Sequence, residues 1–277
     1  MSVSIDVAWK SLNKHHEELC GDKVEILKTD DSDIVILADG MGSGVKANIL
    51  ATLTSKILGT MLYEGAGLDS CVETIAKTLP ICKVRKVAYA TFSILQIFHN
   101  GSAYLVEFDN PSCVFIRDGK IVDYPYQVRE IENKKIHEYR FTVKKNDCFV
   151  LMSDGVIYAG AGSILNLQGW TWEAMAEYTL KCTKKTLSAS RLAVMLSQAC
   201  DELYEEKPGD DTTVAVARVI ERRVVNIFTG PPAKKEDDER LMHDFMHAEG
   251  KKVVAGGTSA NIAARILGRE IVTKVDT

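Results

Sequence analysis

The order of predicted elements in this 277-residue sequence favours an α+β fold, with helices packed on a sandwich of β-sheets. Helical patterns come early, many strands follow in a run, two more helices come next, and residues 209–220 form a last strand. Strands gathered together and helices gathered separately are typical of layered α+β proteins. A hydrophobic content of 46% in a chain of this length is enough for one large core and a smaller second one.

The composition argues against nucleic-acid-binding, membrane and zinc proteins. The formal net charge is −4 and no basic stripe interleaved with aromatic residues is present, so we expect no nucleic-acid partner. No stretch reaches about 18 uninterrupted apolar residues, and residues 1–6 lack a basic segment followed by an apolar one, which predicts a cytoplasmic protein without membrane contact. The seven cysteines include no Cys-x-x-Cys pair, which is typical of reduced core thiols.

The first forty or so residues are predicted to form a strand, a loop and a hairpin. Alternating apolar residues predict a strand over residues 4–14, and the His-His-Glu-Glu sequence at 15–18 is interpreted as a solvated loop rather than a metal site. A second strand begins near Asp22, turns at the acidic residues 30–33 and returns as a buried strand that ends at Asp39. Antiparallel pairing would bring Asp22 and Asp39 to the same edge of the sheet.

Helical and strand patterns follow each other in blocks up to residue 220. Apolar residues at three- and four-residue spacing predict a helix over residues 45–63, and a capping box at 70–73 predicts the start of a second helix that stops at Pro80. The strands predicted next cover residues 88–98, 102–108, a hairpin at 113–122, 137–143 and a run that ends at Asp154. After a loop over 163–169, helices are predicted at 171–181 and 188–206.

Carboxylates stand at the ends of three apolar strands. Strands end at Asp39 and Asp154, the first in a glycine-rich turn, and the pair Asp210 and Asp211 opens the last strand. Asp118 provides a contrast, because its Asp-Gly turn joins two strands as an ordinary hairpin. If the other acids converge, their repulsion calls for a cation, and oxygen ligands without histidine or cysteine favour Mg²⁺ or Mn²⁺. The alternative is a set of ordinary acidic turns.

Four short motifs occur in order along the sequence, each at a predicted strand boundary. They are Cys-Gly-Asp at 20–22, Ala-Asp-Gly-Met-Gly-Ser-Gly at 38–44, Ser-Asp-Gly at 153–155 and Gly-Asp-Asp-Thr at 209–212. With these motifs, the chain resembles the metal-dependent protein serine/threonine phosphatases of type 2C, and within them the bacterial stage II sporulation protein E branch, over residues 4–220. The resemblance implies a β-sandwich flanked by helices, with metal ions at one end of the sheets.

The resemblance also implies two Mn²⁺ or Mg²⁺ ions and the residues that hold them. The implied metal ligands are Asp22, Asp39, Gly40, Asp154, Asp210 and Asp211. Asp39 would bridge the two ions, and the Gly40 carbonyl would join one of them. Asp154 and Asp210 would hold the other ion, which Asp22 would support directly or through water. The catalytic acids would then be Asp39, Asp154 and Asp210.

Two points stay open within the implied site. The sequence does not set which acid of the pair Asp210 and Asp211 reaches an ion, and we favour Asp210. The larger eukaryotic relatives bind the substrate phosphate through an arginine near the first acidic motif, whereas this chain has no arginine before Arg85. The candidate substitutes are Lys10 and Lys14.

Missing motifs constrain the chemistry of a phosphatase. The residue six positions after each cysteine is never arginine, which excludes a Cys-x5-Arg enzyme, and the Asp-x-Asp-x-Thr, Gly-x-Ser-x-Gly and P-loop motifs are absent as well. What remains is in-line attack by metal-activated water, and the resemblance implies phosphoserine or phosphothreonine as the substrate group. The alternative is a catalytically weak regulatory or binding module of the same fold, gated by a ligand or a partner.

The resemblance implies partners in bacterial signalling. The expected substrate is a phosphorylated protein, for which an anti-sigma-factor antagonist is the candidate. A homodimer is the candidate assembly, and neither nucleic acid nor a membrane is expected.

Residues 223–277 are predicted to form a small α/β unit that follows a phosphatase domain over residues 1–222. Its strands are predicted at 224–228 and 252–255, alternating with helices at 234–249 and 258–267. The sequence ends within an apolar run, so we expect this unit to be incomplete. The Gly-Gly-Thr-Ser turn at 256–259 is interpreted as a packing turn, with anion binding at the helix start as the weaker alternative. A sensor that gates the phosphatase is a further hypothesis for this unit.

Overall fold

The computed structural model describes residues 2–78, 90–131, 134–162 and 169–272. The chain divides into two compact units, residues 1–221 and residues 222–277, which are described separately below. Among the described residues, no helix is both long and apolar enough to span a bilayer.

The first unit consists of antiparallel strands and of helices that come in two groups. Its strands are β1 (Val3–Leu12), β2 (Asp22–Lys28), β3 (Ser32–Gly40), β4 (Ala90–Phe98), β5 (Ser102–Phe108), β6 (Val114–Arg117), β7 (Lys120–Ile121), β8 (Gln127–Ile131), β9 (Lys134–Thr142), β10 (Cys148–Met152) and β11 (Thr212–Glu221). Its helices are α1 (Gly44–Tyr63), α2 (Leu68–Thr78), α3 (Asp154–Ile157), α4 (Trp172–Thr183) and α5 (Ala189–Leu203).

These strands form two antiparallel sheets. One sheet has six strands in the order β2-β3-β4-β5-β9-β8, and the other has five in the order β1-β11-β10-β6-β7. The hairpin predicted around Asp118 joins β6 to β7, and Asp118 and Gly119 have φ angles of 51° and 71°, as a primed turn requires. The contrast between this turn and the other Asp-Gly sequences is therefore confirmed.

Alternating side chains of β3 show how the six-stranded sheet is covered on both faces. Ile34 and Ile36 belong to a buried cluster with residues of α1 and α2, such as Leu58 and Val72. Leu37, which points the opposite way, belongs to a second cluster that lies between the two sheets. This explains the unbroken apolar run in the sequence, because a strand buried on both faces has no solvent-facing positions. By the same alternation, Asp39 lies on the face of Leu37, toward the other sheet.

The five-stranded sheet is covered in the same way. Phe149 of β10 faces the inter-sheet core, where its ring stacks on that of Phe115 with centroids 4.4 Å apart. Its neighbour Val150 faces a third cluster, which α4 and α5 complete with residues such as Leu192 and Leu196. The layers therefore run helices, sheet, sheet, helices. The predicted β-sandwich flanked by helices is confirmed.

Several boundaries differ from the predicted ones. Helix α2 begins at Leu68, and the amide of Cys71 already donates to the carbonyl of Gly67, so Ser70 lies inside the helix and the capping-box prediction is wrong. Strand β8 was not predicted, because it is an edge strand with mostly exposed residues and no apolar alternation. The predicted helix stop at Pro80 and most of the loop predicted at 163–169 lie outside the described residues.

The second unit is a parallel pair of strands with two helices. Strands β12 (Val225–Thr229) and β13 (Lys251–Ala255) pair in parallel, and the helices are α6 (Asp238–His247) and α7 (Gly257–Leu267). A short 3-10 turn, Lys235–Asp237, takes the place of the first residues of the predicted long helix. The small core centres on Met242, Ile262 and Ala263. The alternation of strand and helix in this segment is as predicted.

Candidate metal centre

The hairpin of β2 and β3 places two acids side by side at one end of the six-stranded sheet. Asp22, the first residue of β2, pairs directly with Asp39, the penultimate residue of β3. Asp22 is 5% exposed, and Asp39 is half-buried. Both lie on the face of the sheet that looks toward the second sheet, because Val24 and Leu37 of the same strands enter the inter-sheet core.

The end of β10 brings the second sheet to this edge. Ser153 follows the strand, and its hydroxyl donates a hydrogen bond to Oδ2 of Asp22 across 2.7 Å. The Ser153 hydroxyl oxygen also accepts a hydrogen bond from the amide of Thr213 at 2.8 Å, and the amide of Ser153 donates to the Thr213 carbonyl at 3.1 Å. Asp154 comes next and opens the short helix α3. A direct polar link therefore joins the two sheets where the acids lie.

The two acids that precede β11 have different environments. Asp211 is 4% exposed, and its Oδ1 accepts a hydrogen bond from the amide of Lys14 at 3.1 Å. The side chain of Asp210 is 43% exposed, and its Oδ1 lies 3.6 Å from the ammonium nitrogen of Lys14. The pair that the sequence left unresolved thus consists of one buried acid, held by a main-chain contact, and one partly exposed acid.

The acids of the edge influence one another electrostatically. Burial, followed by the charge of the other four acids, raises the pKa of Asp39 to about 9. Burial is also the largest cause that raises the pKa of Asp22 to about 7, and the hydroxyls of Thr213 and Ser153 oppose it. The pKa of Asp154 is raised by burial and by Asp210. The five acids that interact at this edge are Asp22, Asp39, Asp154, Asp210 and Asp211.

The donor set fits a hard divalent cation. Oδ1 of Asp22 and Oδ2 of Asp211 are buried and have no hydrogen-bond partner among the described residues. Such atoms are costly unless an ion or another group satisfies them. Carboxylate oxygens are the ligands that Mg²⁺ and Mn²⁺ prefer. Within the described part of the chain, however, no three His, Cys, Asp or Glu side chains are close enough together to hold an ion as they stand.

Two glycines allow other segments to approach the acids closely. A Cβ atom on Gly40 would lie 2.0 Å from the carbonyl oxygen of Ala47, so the end of β3 packs directly on the backbone of α1. A Cβ atom on Gly155 would lie 2.2 Å from the carbonyl oxygen of Asp211, which brings α3 next to the start of β11. Packing on α1 therefore requires glycine at position 40, apart from the metal-ligand role that the resemblance implies for its carbonyl.

Supporting residues around the acids were missed by the sequence reasoning. Ser153 was recognised as part of a motif but received no role, although its position beside Asp154 is the signal that could have found it. Asn48 of α1 donates from its side-chain amide to the carbonyl of Cys20 at 2.8 Å and so fixes the turn before Asp22. No local pattern marks Asn48. His15 and His16 lie in the loop after β1, as predicted.

Comparison with known proteins identifies the family. The family model described as Stage II sporulation protein E (SpoIIE) matches residues 29–220, more than half of the chain. The chain belongs to the SpoIIE family. The matched segment contains Asp39, Asp154, Asp210 and Asp211, while Asp22 and Lys14 precede it.

A curated relative is similar to this chain in sequence. Stage II sporulation protein E of Bacillus subtilis (strain 168) is 24% identical in an alignment of 196 positions that covers 66% of this chain and 22% of that protein. The chain therefore spans about a fifth of the length of this relative.

Solved structures show the fold. The PP2C phosphatase domain of Bacillus subtilis SpoIIE, with a fragment of its regulatory domain, aligns with a TM-score of 0.66 and 19% identity, covering 80% of this chain and 65% of that one. RsbX in complex with magnesium aligns with a TM-score of 0.56 and 21% identity, covering 78% of this chain and 95% of that one. The RsbU and RsbW domains of Rv1364c from Mycobacterium tuberculosis align with a TM-score of 0.63 and 14% identity, covering 88% of this chain and 68% of that one. The first unit thus has the PP2C phosphatase fold.

Proposed function

We propose that this member of the SpoIIE family is a Mn²⁺- or Mg²⁺-dependent protein phosphatase that acts on phosphoserine or phosphothreonine. The observation that carries the proposal is the meeting of five aspartates from both sheets at one edge, with unpartnered buried oxygens on Asp22 and Asp211. The PP2C fold supports the same conclusion, and the magnesium bound to RsbX supports the type of ion.

Each buried acid is held by one oxygen and keeps the other oxygen free. Ser153 donates to Oδ2 of Asp22, which leaves Oδ1 unpaired. The amide of Lys14 donates to Oδ1 of Asp211, which leaves Oδ2 unpaired. Outer contacts of this kind orient the ligands of a metal site. We infer that Ser153 and the main chain at Lys14 orient these two carboxylates.

The other ligands that the resemblance implies would complete two ion sites. Asp39 and the Gly40 carbonyl would hold one ion, and Asp154 and Asp210 would complete a second site. When bound, two ions lower the pKa of coordinated water and offset the charge of the phosphoryl group during in-line attack. Both acids of the pair are proposed as ligands, Asp211 through its unpartnered Oδ2 and Asp210 because it is the neighbouring charge with the largest effect on Asp154.

A catalytically weak regulatory or binding module is the second candidate. It is favoured by one observation, namely that no three ligand-type side chains of the described residues approach closely enough to enclose an ion. In this case the family fold would serve recognition rather than hydrolysis.

A phosphorylated protein is the proposed substrate, and an anti-sigma-factor antagonist is the candidate. Support comes from the similarity of the fold to RsbX and to the RsbU and RsbW domains of one protein. Bacterial signalling is the proposed setting.

Hydrolysis assays decide between the two candidates. The substrates are p-nitrophenyl phosphate and a phosphoserine peptide, each with Mn²⁺, with Mg²⁺ and with a chelator, for the wild type and Asp39→Asn. Metal-dependent turnover that disappears in Asp39→Asn supports the phosphatase. The absence of turnover from a protein that binds Mn²⁺ in calorimetry supports the weak module, and the absence of Mn²⁺ binding overturns the metal centre.

A further inference from the structure

The five aspartates at this edge would repel a phosphorylated substrate electrostatically. A phosphate monoester is an anion, and carboxylates repel it. Among the ion pairs of the described residues, one reaches this group of acids, the contact between Lys14 and Asp210 at 3.6 Å. Lys10, on the exposed part of β1, makes no such contact. The structure thus separates the two lysines that the sequence left as alternatives.

The main chain at Lys14 is held by hydrogen bonds, whereas its side chain is partly exposed and makes one long ionic contact. Its amide donates to Asp211 at 3.1 Å, and the amide of the next residue, His15, donates to the carbonyl of Pro208 at 2.8 Å. The side chain of Lys14 is 37% exposed, and its distance of 3.6 Å from Asp210 exceeds the roughly 2.7–2.9 Å of a tight charged hydrogen bond. The ammonium group is therefore anchored near the acids but is available to another anion.

We propose that Lys14 binds the phosphoryl oxygens of the substrate. The proposal deepens the proposed phosphatase function and rests on it. Lys14 supplies a cation at the rim of the acid edge, where an ammonium group can exchange its loose contact with Asp210 for the doubly charged phosphate. Because a lysine contributes a flexible point charge rather than a planar fork, its contribution is to affinity for phosphate more than to a fixed orientation.

The test compares Lys14→Ala and Lys14→Arg with Lys10→Ala, the matched control on the same segment. Hydrolysis of the phosphoserine peptide is measured at saturating Mn²⁺, together with competitive inhibition by inorganic phosphate. We expect Lys14→Ala to raise KM and the inhibition constant of phosphate about 10-fold or more, the loss of one charge-assisted hydrogen bond. Lys14→Arg should recover most of the affinity, and Lys10→Ala should match the wild type. Unchanged constants in Lys14→Ala overturn the proposal.

A calorimetric titration with Mn²⁺ separates substrate binding from support of the acids. Removing a positive charge beside Asp210 should leave Mn²⁺ affinity unchanged or increase it. Weaker Mn²⁺ binding by Lys14→Ala, sufficient to account for its lost activity, overturns the proposal and makes Lys14 a structural support. The contact with Asp211 is made by the main chain, so it persists in every variant. Should the alanine variant unfold, Lys14→Met preserves the aliphatic stem and is tested in the same way.

Direct binding of inorganic phosphate keeps this inference distinguishable from the proposed function. If the wild type hydrolyses neither substrate, the proposed phosphatase fails, but calorimetry with inorganic phosphate and Mn²⁺ still tests Lys14. Binding that is weakened about 10-fold or more in Lys14→Ala supports the role of Lys14 as an anion ligand. Equal binding by both proteins, or no binding by the wild type, overturns it.

Discussion

The hydroxyl of Ser153 donates a hydrogen bond to Oδ2 of Asp22, across 2.7 Å and 131 residues of sequence. Ser153 follows a strand of one sheet, and Asp22 begins a strand of the other. Because the same hydroxyl accepts from the amide of Thr213, one buried oxygen connects three segments at the candidate metal centre. The contact both closes the end of the sandwich and orients an acid.

Replacing Ser153 with alanine should destabilise the first unit by about 1–3 kcal/mol, the cost of leaving buried polar groups unpaired. The groups affected are Oδ2 of Asp22 and the amide of Thr213. Urea unfolding measures the effect. Ser70→Ala is the control, since Ser70 is exposed inside α2 and its replacement should be neutral or slightly stabilising. A loss of about 1 kcal/mol in Ser70→Ala would contradict the observed start of α2 and restore a capping role.

Gly40→Ala should destabilise the protein, because the added methyl group would lie 2.0 Å from the backbone oxygen of Ala47. Overpacking against a helix backbone costs about 1–3 kcal/mol, and the separation of α1 from β3 should also reduce Mn²⁺ affinity. Gly67→Ala is the matched control, because nothing lies within 4 Å of its Cβ position. Thermal unfolding of both variants provides the comparison. Equal stability of the two variants would show that α1 does not pack on Gly40 as described.

Asp39→Asn should stabilise the metal-free protein at neutral pH. Burial and the four neighbouring acids raise the folded-state pKa of Asp39 to about 9, so the wild type must take up a proton on folding, which asparagine does not require. Mn²⁺ at about 100 times its dissociation constant should stabilise the wild type by about 2.7 kcal/mol, and this gain should be lost in the variant. Thermal unfolding with Mn²⁺ and with a chelator measures both effects.

Asp118→Asn is the control for this experiment. It changes an Asp-Gly sequence in a hairpin turn away from the candidate site, and asparagine tolerates the positive φ of that position. We expect the same response to Mn²⁺ as in the wild type. An Asp39→Asn variant that keeps its Mn²⁺ stabilisation would contradict the assignment of Asp39.

Glu107→Gln should change how stability depends on pH. Glu107 is 3% exposed, accepts hydrogen bonds from the Cys113 amide at 2.5 Å and from the Tyr139 hydroxyl at 2.9 Å, and has a raised pKa, chiefly through burial. A carboxyl group whose pKa is higher in the folded state contributes stability that is present below about pH 4.5 and is lost as the pH rises through the folded-state value. Glutamine has nearly the same shape as glutamate but does not titrate.

The free energy of unfolding of Glu107→Gln, relative to the wild type, should therefore increase as the pH rises above about 4.5. Urea unfolding at a series of pH values measures it. Glu130→Gln, at an exposed position of β8, controls for the loss of one negative charge at the surface. Parallel profiles for the wild type and Glu107→Gln would contradict the burial argument.

Sequence patterns were sufficient where the structure is decided locally. An apolar run that ends in an acid predicts a strand and its tip, so Asp39 and Asp154 were placed correctly at strand ends. A short turn between two strands brings the ends of a hairpin together, which is why the pairing of Asp22 with Asp39 could be predicted. Strand β8 escaped prediction for the opposite reason, since an exposed edge strand is stabilised by its partner β9 and carries no apolar alternation of its own.

The amino-acid sequence by itself determined the fold class, the hairpin at the acid edge and the motifs of the SpoIIE family. Only the tertiary structure decided that Asp211 is buried while Asp210 is partly exposed, and that Lys14 rather than Lys10 reaches the acids. Each of these outcomes depends on contacts between segments far apart in sequence, such as the amide of Lys14 with Asp211. The periodicity of a single strand or helix reports which face is buried, and it carries no information on which other segment packs against that face.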